Sequence, residues 1–490
     1  MLASDRLPAE NGGESWTGIR EAQEQWAALP VLSRLRVVRK FRSLLVRHST
    51  GLAASCAQVR DVEPAEALTS ELLPLAEACR FLETQAADIL ATRFPSLAGR
   101  PLWLGGVRSE VRRAPYGLVL ILAPSNYPLF LAGVQLLHAL VAGNAVLIKP
   151  APGAADPLIT VAKLLETAGL QARLLTFLPE DPAKVHDFIR DRVDKVVLTG
   201  GTAAGQAVLQ TCGEAIIPAT VELSGVDAFH VLADADTGRA ADLLLYGLGL
   251  NRGRTCIAPR RVFVHQAVAP AMRQALKDRF RSRRAATTDL STWVREAVSS
   301  ALNEGASIVA GAWSDNEEGL FRYPLILEGV AASSRLRNGD HFGPIAVFDE
   351  VSNEEEAIRL DRLCPFALGA AVFSRNAAHG AAFGARLPAP NVTVNDLIVP
   401  TADPRLPFGG RKRSGFGVTR GPEGLLEMTV PRVISRRPAN SRLPHLDVPG
   451  QDDEERFRHL LNLLHGDGFF SRLGSLKFLV SKPSRKKNQA

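Results

Sequence analysis

The sequence predicts an α/β fold built from two parallel-sheet domains, and three observations predict it. Short apolar runs bounded by turn residues alternate with amphipathic stretches over residues 116–231. That order lays strands side by side in parallel, with helices on the sheet faces. The same alternation begins again after Gly225. A chain of 490 residues is also long enough for two or three domains around a large core.

Each element follows from its local pattern. Residues 16–94 read as helices, with Leu35, Val38, Phe41, Leu44 and Leu45 at three- and four-residue spacing. Residues 102–113 alternate weakly around Gly105-Gly106 and predict a hairpin, placed at about 97–115. Residues 118–122 are a wholly apolar run of strand length, and 143–149 form a second strand closing on Lys149. Helices are predicted at 158–168 and 182–190, and a third strand at 193–198. Beyond Gly225 come a helix at 236–248, a strand at 261–264 and a helix at 269–281, whose Pro270 falls in the first turn where proline is tolerated. A strand is expected at 392–395. Residues 456–464 and 469–479 are apolar and basic, and predict a short helix packed on the protein's own surface in preference to a membrane- or partner-binding helix.

Composition excludes several classes. No uninterrupted apolar run approaches the roughly 20 residues of a membrane helix, and residues 1–6 lack the apolar core of a secretory signal. The five cysteines, Cys56, Cys79, Cys212, Cys256 and Cys364, show no paired framework, which suits a reducing compartment and makes the cytoplasm the default. A net charge of +7 raises nucleic acid as a partner. The basic residues, however, gather at Arg281, Arg283 and Arg284, at Arg436-Arg437 and at 482–487, with no nucleic-acid module around them. The histidines have no metal-ligand spacing, so no metal is expected.

The chemistry is carried by separated segments. Cys256 stands in Asn251-Arg252-Gly253-Arg254-Thr255-Cys256-Ile257-Ala258-Pro259, and 34 residues upstream lies Val221-Glu222-Leu223-Ser224-Gly225. A cysteine in a small-residue loop and a glutamate on another loop end are what covalent catalysis at a carbonyl requires: a thiolate to attack and a carboxylate to activate water. Alone, a cysteine is more often a packed small hydrophobe, and a glutamate at a strand end serves only solubility. Further segments are Ala123-Pro124-Ser125-Asn126-Tyr127-Pro128, the strand ending at Lys149, Thr199-Gly200-Gly201-Thr202-Ala203-Ala204-Gly205, Asp340-His341-Phe342-Gly343-Pro344 and Pro407-Phe408-Gly409-Gly410, continuing to Gly417.

In this order and spacing the set resembles the NAD(P)-dependent aldehyde dehydrogenase superfamily, over residues 16–434. The resemblance implies a cofactor-binding domain at 1–224 carrying an oligomerisation hairpin, a catalytic domain at 225–408, a return to the cofactor and oligomerisation region at 409–436, and an extension at 437–490. It implies a homodimer or homotetramer acting on a small aldehyde. Cys256 is then the nucleophile, Asn126 with the Cys256 backbone N–H the oxyanion donors, and Glu222 the base that releases the acyl group. NAD or NADP is implied at Lys149, Thr199, Gly200, Gly201, Gly205, Asp340 and Phe342, with glycines 200, 201 and 205 letting a helix N-terminus approach pyrophosphate. Phe408 is expected either beside the active site or simply in the core.

Several positions depart from the pattern. Ser125 replaces a frequent aromatic, Gly201 a serine, Asp340 a glutamate and Arg254 a glutamine. A guanidinium at 254 is expected either to lower the Cys256 pKa or to meet an acidic substrate. Pro152 occupies the place of a glutamate that favours NAD, so NADP should be accepted. The alternatives weighed are a coenzyme A-acylating reductase, against which Glu222 speaks, and a weakened relative kept for binding.

Overall fold

The computed structural model describes residues 13–179, 184–282, 290–313, 322–441, 443 and 450–481. Arg283, Arg284 and the basic run at 482–487 lie outside them. The chain divides into two compact units, one of residues 1–92 and 112–432, the other of 93–111 and 433–490.

The larger unit holds both predicted sheets. The first has six strands, in the spatial order Gly415–Phe416, Ala219–Leu223, Lys195–Gly200, Leu118–Leu122, Ala145–Lys149 and Leu175–Phe177. All pair in parallel except Gly415–Phe416, which joins antiparallel. Leu118–Leu122 and Ala145–Lys149 are buried at every position, as expected of strands covered on both faces. The second sheet has seven strands, ordered Asn391–Val394, Gly369–Phe373, Asp227–Val231, Pro259–His265, Ile345–Val351, Arg322–Glu328 and Ser307–Ala312. Only its Ser307–Ala312 edge is antiparallel.

The predicted helices form, with shifted ends: Ala155–Ala168, Val185–Asp191, Thr237–Gly249 and Ala269–Ser282. Asp236 caps Thr237–Gly249 by accepting from the Arg239 amide. N-terminal helices Val31–Arg47 and Leu73–Ile89 bury the apolar stripe seen in the sequence, Phe41, Leu44 and Leu45 included.

One expectation is corrected. No local hairpin forms at 97–115. Leu102–Leu104 is a single 3-10 turn, and the strand Arg108–Pro115 takes as its partner Thr429–Arg436, more than three hundred residues on. In the smaller unit this ribbon is marked by the hydrogen bond between the Ser109 and Ser435 hydroxyls, 2.8 Å. Weak alternation reports a strand but not its partner. In the extension, Gln451–His465 and Phe469–Ser481 pack on each other, joined by polar side chains, and the second helix keeps Phe469, Phe470 and Val480 more than 70% exposed. Among the described residues no helix is long and apolar enough to cross a membrane.

Candidate active site

The carboxyl edge of the six-stranded sheet gathers the first group of residues, where open α/β sheets bind ligands. Leu122 is paired with both Lys149 and Leu198, Thr199 with Glu222 and Gly200 with Leu223. The Asn126 loop, Lys149, the Gly200-Gly201 turn and Glu222 therefore leave the sheet at one end. The Lys149 ammonium is buried and donates to the Pro150 carbonyl at 3.2 Å.

The nucleophile loop approaches from the second sheet. Thr237–Gly249 runs into a turn in which Asn251, Arg252 and Gly253 all have positive φ, at 49°, 54° and 77°. Buried Asn251 is held there by hydrogen bonds. Its amide donates to the Asn126 carbonyl at 2.8 Å and the Arg254 carbonyl at 3.2 Å, and its Oδ1 accepts from Arg60 Nε at 3.1 Å. Gly253 must be glycine: a Cβ there would lie 2.3 Å from the Pro344 nitrogen. That contact seats the Phe342-Gly343-Pro344 segment against the Cys256 loop. Fully buried Arg260 ties the loop down, donating to the carbonyls of Gly225, Gly253 and Thr255 at 3.0–3.1 Å.

These pieces enclose one cavity of about 120 Å³ lined by Pro124, Ser125, Asn126, Gly200, Gly201, Glu222, Leu223, Ser224, Cys256 and Phe342. Three loops from the first sheet and two from the second thus meet at one cavity. Phe408 packs beside it, 2% exposed, against Ile257, Leu368 and Cys256.

The electrostatics differ from expectation at Cys256. Burial pushes its thiol up to about 12, with the Glu222 and Asp227 carboxylates acting the same way, while Arg420 and Arg260 oppose them. Arg254 plays no part in lowering it. Its guanidinium turns away and donates to the Arg60 carbonyl, so the expected activation of the thiol by Arg254 is not borne out. The cations near the sulfur come from other segments.

Glu222 is 2% exposed, and burial raises its carboxyl, offset by the Arg420 charge and the Thr419 hydrogen bond. Oε2 accepts from Thr419 Oγ1 at 2.5 Å, while Oε1 is buried without a protein partner. Asn126 Nδ2 donates to the Arg254 carbonyl at 3.1 Å, and an amide nitrogen has a second N–H to give.

The phosphate-loop residues fall into two groups. Gly200 and Gly201 line the cavity. Gly201 opens the helix Thr202–Ala215, whose first turn no side chain caps. Asp340 faces it, its Oδ2 3.9 Å from where a Gly201 Cβ would lie. Thr199 and Gly205 serve packing instead. Gln135 donates to the Thr199 hydroxyl at 2.8 Å, and a Cβ at Gly205 would meet Leu223 Cδ2 at 2.6 Å. Gly205 is therefore explained by helix–sheet contact, not by approach to pyrophosphate.

Sequence reasoning missed Thr419, Arg420, Arg260 and Thr202. Arg420 is buried, 3.9 Å over the Phe408 ring, and hydrogen-bonded to the Thr401 carbonyl. Thr202 Oγ1 is buried with no partner at the start of the phosphate-loop helix. The one available signal was Arg260-Arg261, two arginines opening an otherwise apolar strand.

A cysteine, a carboxylate and an amide line one cavity at the carboxyl edge of an open α/β sheet, where sheets of this class bind ligands. The aldehyde dehydrogenase family model matches residues 14–434, and the chain belongs to that family as an NAD(P)-dependent enzyme of aldehyde oxidation. The chain is 29% identical to 4,4'-diapolycopene aldehyde oxidase from Methylomonas sp over 92% of its length and 86% of the relative's. Among solved structures it superimposes on succinic semialdehyde dehydrogenase from Streptococcus pyogenes in complex with NADP+ with a TM-score of 0.79, at 23% identity, covering 88% of this chain and 96% of the other. The NAD-dependent aldehyde dehydrogenase from Sinorhizobium meliloti gives a TM-score of 0.80 at 24% identity, covering 88% and 87%.

Proposed function

We propose that Cys256 is the nucleophile that takes an aldehyde to its carboxylic acid, with Glu222 as the base that frees the product as acid. The observation that carries this reading is that Cys256, Glu222 and Asn126 line one cavity with Gly200, Gly201 and Phe342. The Cys256 sulfur adds to the aldehyde carbon, and Asn126 Nδ2 with the Cys256 backbone N–H meets the charge forming on oxygen. Glu222 then takes a proton from water as it attacks the Cys256 thioester, releasing the acid and restoring the thiol. Thr419 holds one oxygen of Glu222, which leaves the other for that proton. The Glu222 carboxylate speaks against transfer of the acyl group to coenzyme A, and the intact set of Cys256, Glu222 and Asn126 against a role in binding alone.

When bound, NAD or NADP supplies the hydride acceptor. The residues present fit such a group. The uncapped first turn of Thr202–Ala215 presents backbone N–H groups, and the buried, unpartnered Thr202 Oγ1 offers the hydroxyl that Gly201 lacks. Lys149 would bind ribose hydroxyls or a 2′-phosphate, and Asp340 with Phe342 would hold the nicotinamide end. Pro152 in place of an acidic residue supports use of NADP alongside NAD; an NAD preference in kcat/KM above about a hundredfold, roughly 2.7 kcal/mol, overturns this.

The six-stranded sheet, with residues 1–224, is read as the cofactor domain, and the seven-stranded sheet at 225–408 as the catalytic one. Exposed Trp103, Val433 and Ile434 support a homodimer or homotetramer, which light scattering will distinguish from a monomer. The free thiols fit the cytoplasm. The deciding experiment is a product assay with and without coenzyme A. Free acid in both supports the mechanism, whereas acyl-coenzyme A formation, or full activity in Cys256→Ser, removes it.

A further inference from the structure

We propose that the helical pair Gln451–His465 and Phe469–Ser481 docks on an anionic lipid surface through the outer face of its second helix. Helix pairs that fold in water bury an apolar seam and turn polar side chains outward. This pair half-buries Leu460, Leu463, Leu464, Phe478 and Leu479 and leaves a further apolar face uncovered. Polar contacts also join its helices: Asn462 Nδ2 donates to the Ser471 and Ser475 hydroxyls at 2.7 and 2.9 Å, and His459 Nδ1 lies 3.1 Å from Ser475 Oγ. His459 also stacks on Phe478 at 3.9 Å. Arg472 closes the end of the first helix, donating to the Leu463 and Leu464 carbonyls at 2.9 and 3.1 Å.

One apolar stripe faces out. Phe469, Leu473, Leu476 and Val480 recur at spacings of four, three and four, one stripe of a helix, and are 72, 36, 43 and 73% exposed. Phe470 flanks them at 85%, and Phe457 and Leu461, one turn apart on the first helix, are also exposed. At 13 residues the second helix is about 20 Å long, too short to cross a bilayer and suited to lying in its interface.

Charge selects the occupant. Residues 469–490 carry six basic residues, Arg472, Lys477, Lys482, Arg485, Lys486 and Lys487, and no acidic one. A basic segment that follows an exposed Phe-Leu stripe in the sequence complements anionic headgroups. The acidic residues Asp453, Glu454 and Glu455 lie in the first turn of the preceding helix, where its dipole accommodates them.

The test is co-sedimentation of the full-length protein with vesicles of phosphatidylcholine alone or with about one-third phosphatidylserine. The expected result is binding to the anionic vesicles only, released by salt at about 0.5 M. Phe470→Glu with Leu476→Glu should weaken it at least about tenfold, and glutamine at 482, 485, 486 and 487 should abolish the lipid preference, while both variants keep wild-type oxidation of a water-soluble aldehyde. A wild-type protein left in the supernatant overturns the proposal, as does equal, salt-insensitive binding to both vesicle types. So does a Phe470→Glu, Leu476→Glu protein that falls to a smaller oligomer by light scattering in the absence of any vesicle binding, because a second copy would then cover the face.

Discussion

Thr419 Oγ1 donates a 2.5 Å hydrogen bond to Glu222 Oε2 across 197 residues of chain, and Glu222 Oε1 has no protein partner. The contact exists because residues 415–416 return to the six-stranded sheet and pair with the Glu222 strand, Gly415 opposite Glu222 and Phe416 opposite Val221. One oxygen is thereby fixed on a residue that lines the cavity.

Glu222→Gln should preserve acylation and abolish deacylation. The expected trace is a burst of reduced cofactor, about one per active site, followed by a far slower steady rate. Loss of the burst as well would show that Glu222 acts before the thioester. Thr419→Val removes a bond that lowers the Glu222 pKa. A higher pKa means the carboxylate form is reached only at higher pH, so the acidic limb of kcat against pH should move upward. An unmoved limb would leave Thr419 without a part in this step.

Cys256 reactivity should climb with pH and not level off near neutrality. Its thiol is pushed up to about 12 by burial, so the protonated form dominates through the neutral range and the thiolate grows with each unit of pH. Iodoacetamide alkylation of the free enzyme should rise about tenfold per pH unit between 7 and 9, where a free cysteine with pKa near 8.5 is already levelling. A plateau at or below pH 8.5 would contradict the buried-thiol picture.

Arg420→Leu should impair both halves of the reaction. The buried guanidinium favours the anionic forms of Cys256 and Glu222, and its removal raises both pKa values. A loss of roughly tenfold or more in kcat is expected, since each pKa unit corresponds to about 1.4 kcal/mol. The pH profile should shift to the alkaline side while cofactor KM stays near wild type. Arg420→Lys should recover part of the rate, and an unchanged pH profile in the leucine variant would show that Arg420 only fills space over Phe408.

Gly205→Ala and Gly201→Ala should separate packing from ligand approach. An added methyl at Gly205 meets Leu223 at 2.6 and 2.7 Å, so a cost of about 1–3 kcal/mol and a lower melting temperature are expected. At Gly201 the nearest group is Asp340 Oδ2 at 3.9 Å, so stability should hold while cofactor affinity falls. Calorimetry with a cofactor titration checks both, and a Gly201 variant that binds the cofactor normally removes that residue from the site.

Much of the fold could be read from local pattern. Leu118–Leu122 and Ala145–Lys149 are apolar at nearly every position because both sheet faces are covered, and such runs are recognisable wherever they occur. Asn126, Glu222 and Cys256 were candidates because their segments, taken together in order and spacing, resemble one family, and the structure brings all three to one cavity. Thr419, Arg420 and Thr202 carried no such signal. A threonine and an arginine after Gly417 look like surface residues until the chain doubles back beside Glu222.

By itself, the sequence determined the two parallel sheets and the loops at their ends, since these follow from periodicity and residue type within a few positions, and it named the candidate reacting groups through the motifs those loops carry. Only the tertiary structure decided which cations face Cys256, that Arg254 turns to the Arg60 carbonyl, and that Arg108–Pro115 pairs with Thr429–Arg436. It also decided that Asn462 of one terminal helix bonds Ser471 and Ser475 of the next. The physical reason is common to all four. Charge interactions and strand partners depend on distance and burial, and those arise when segments far apart in the chain are packed together.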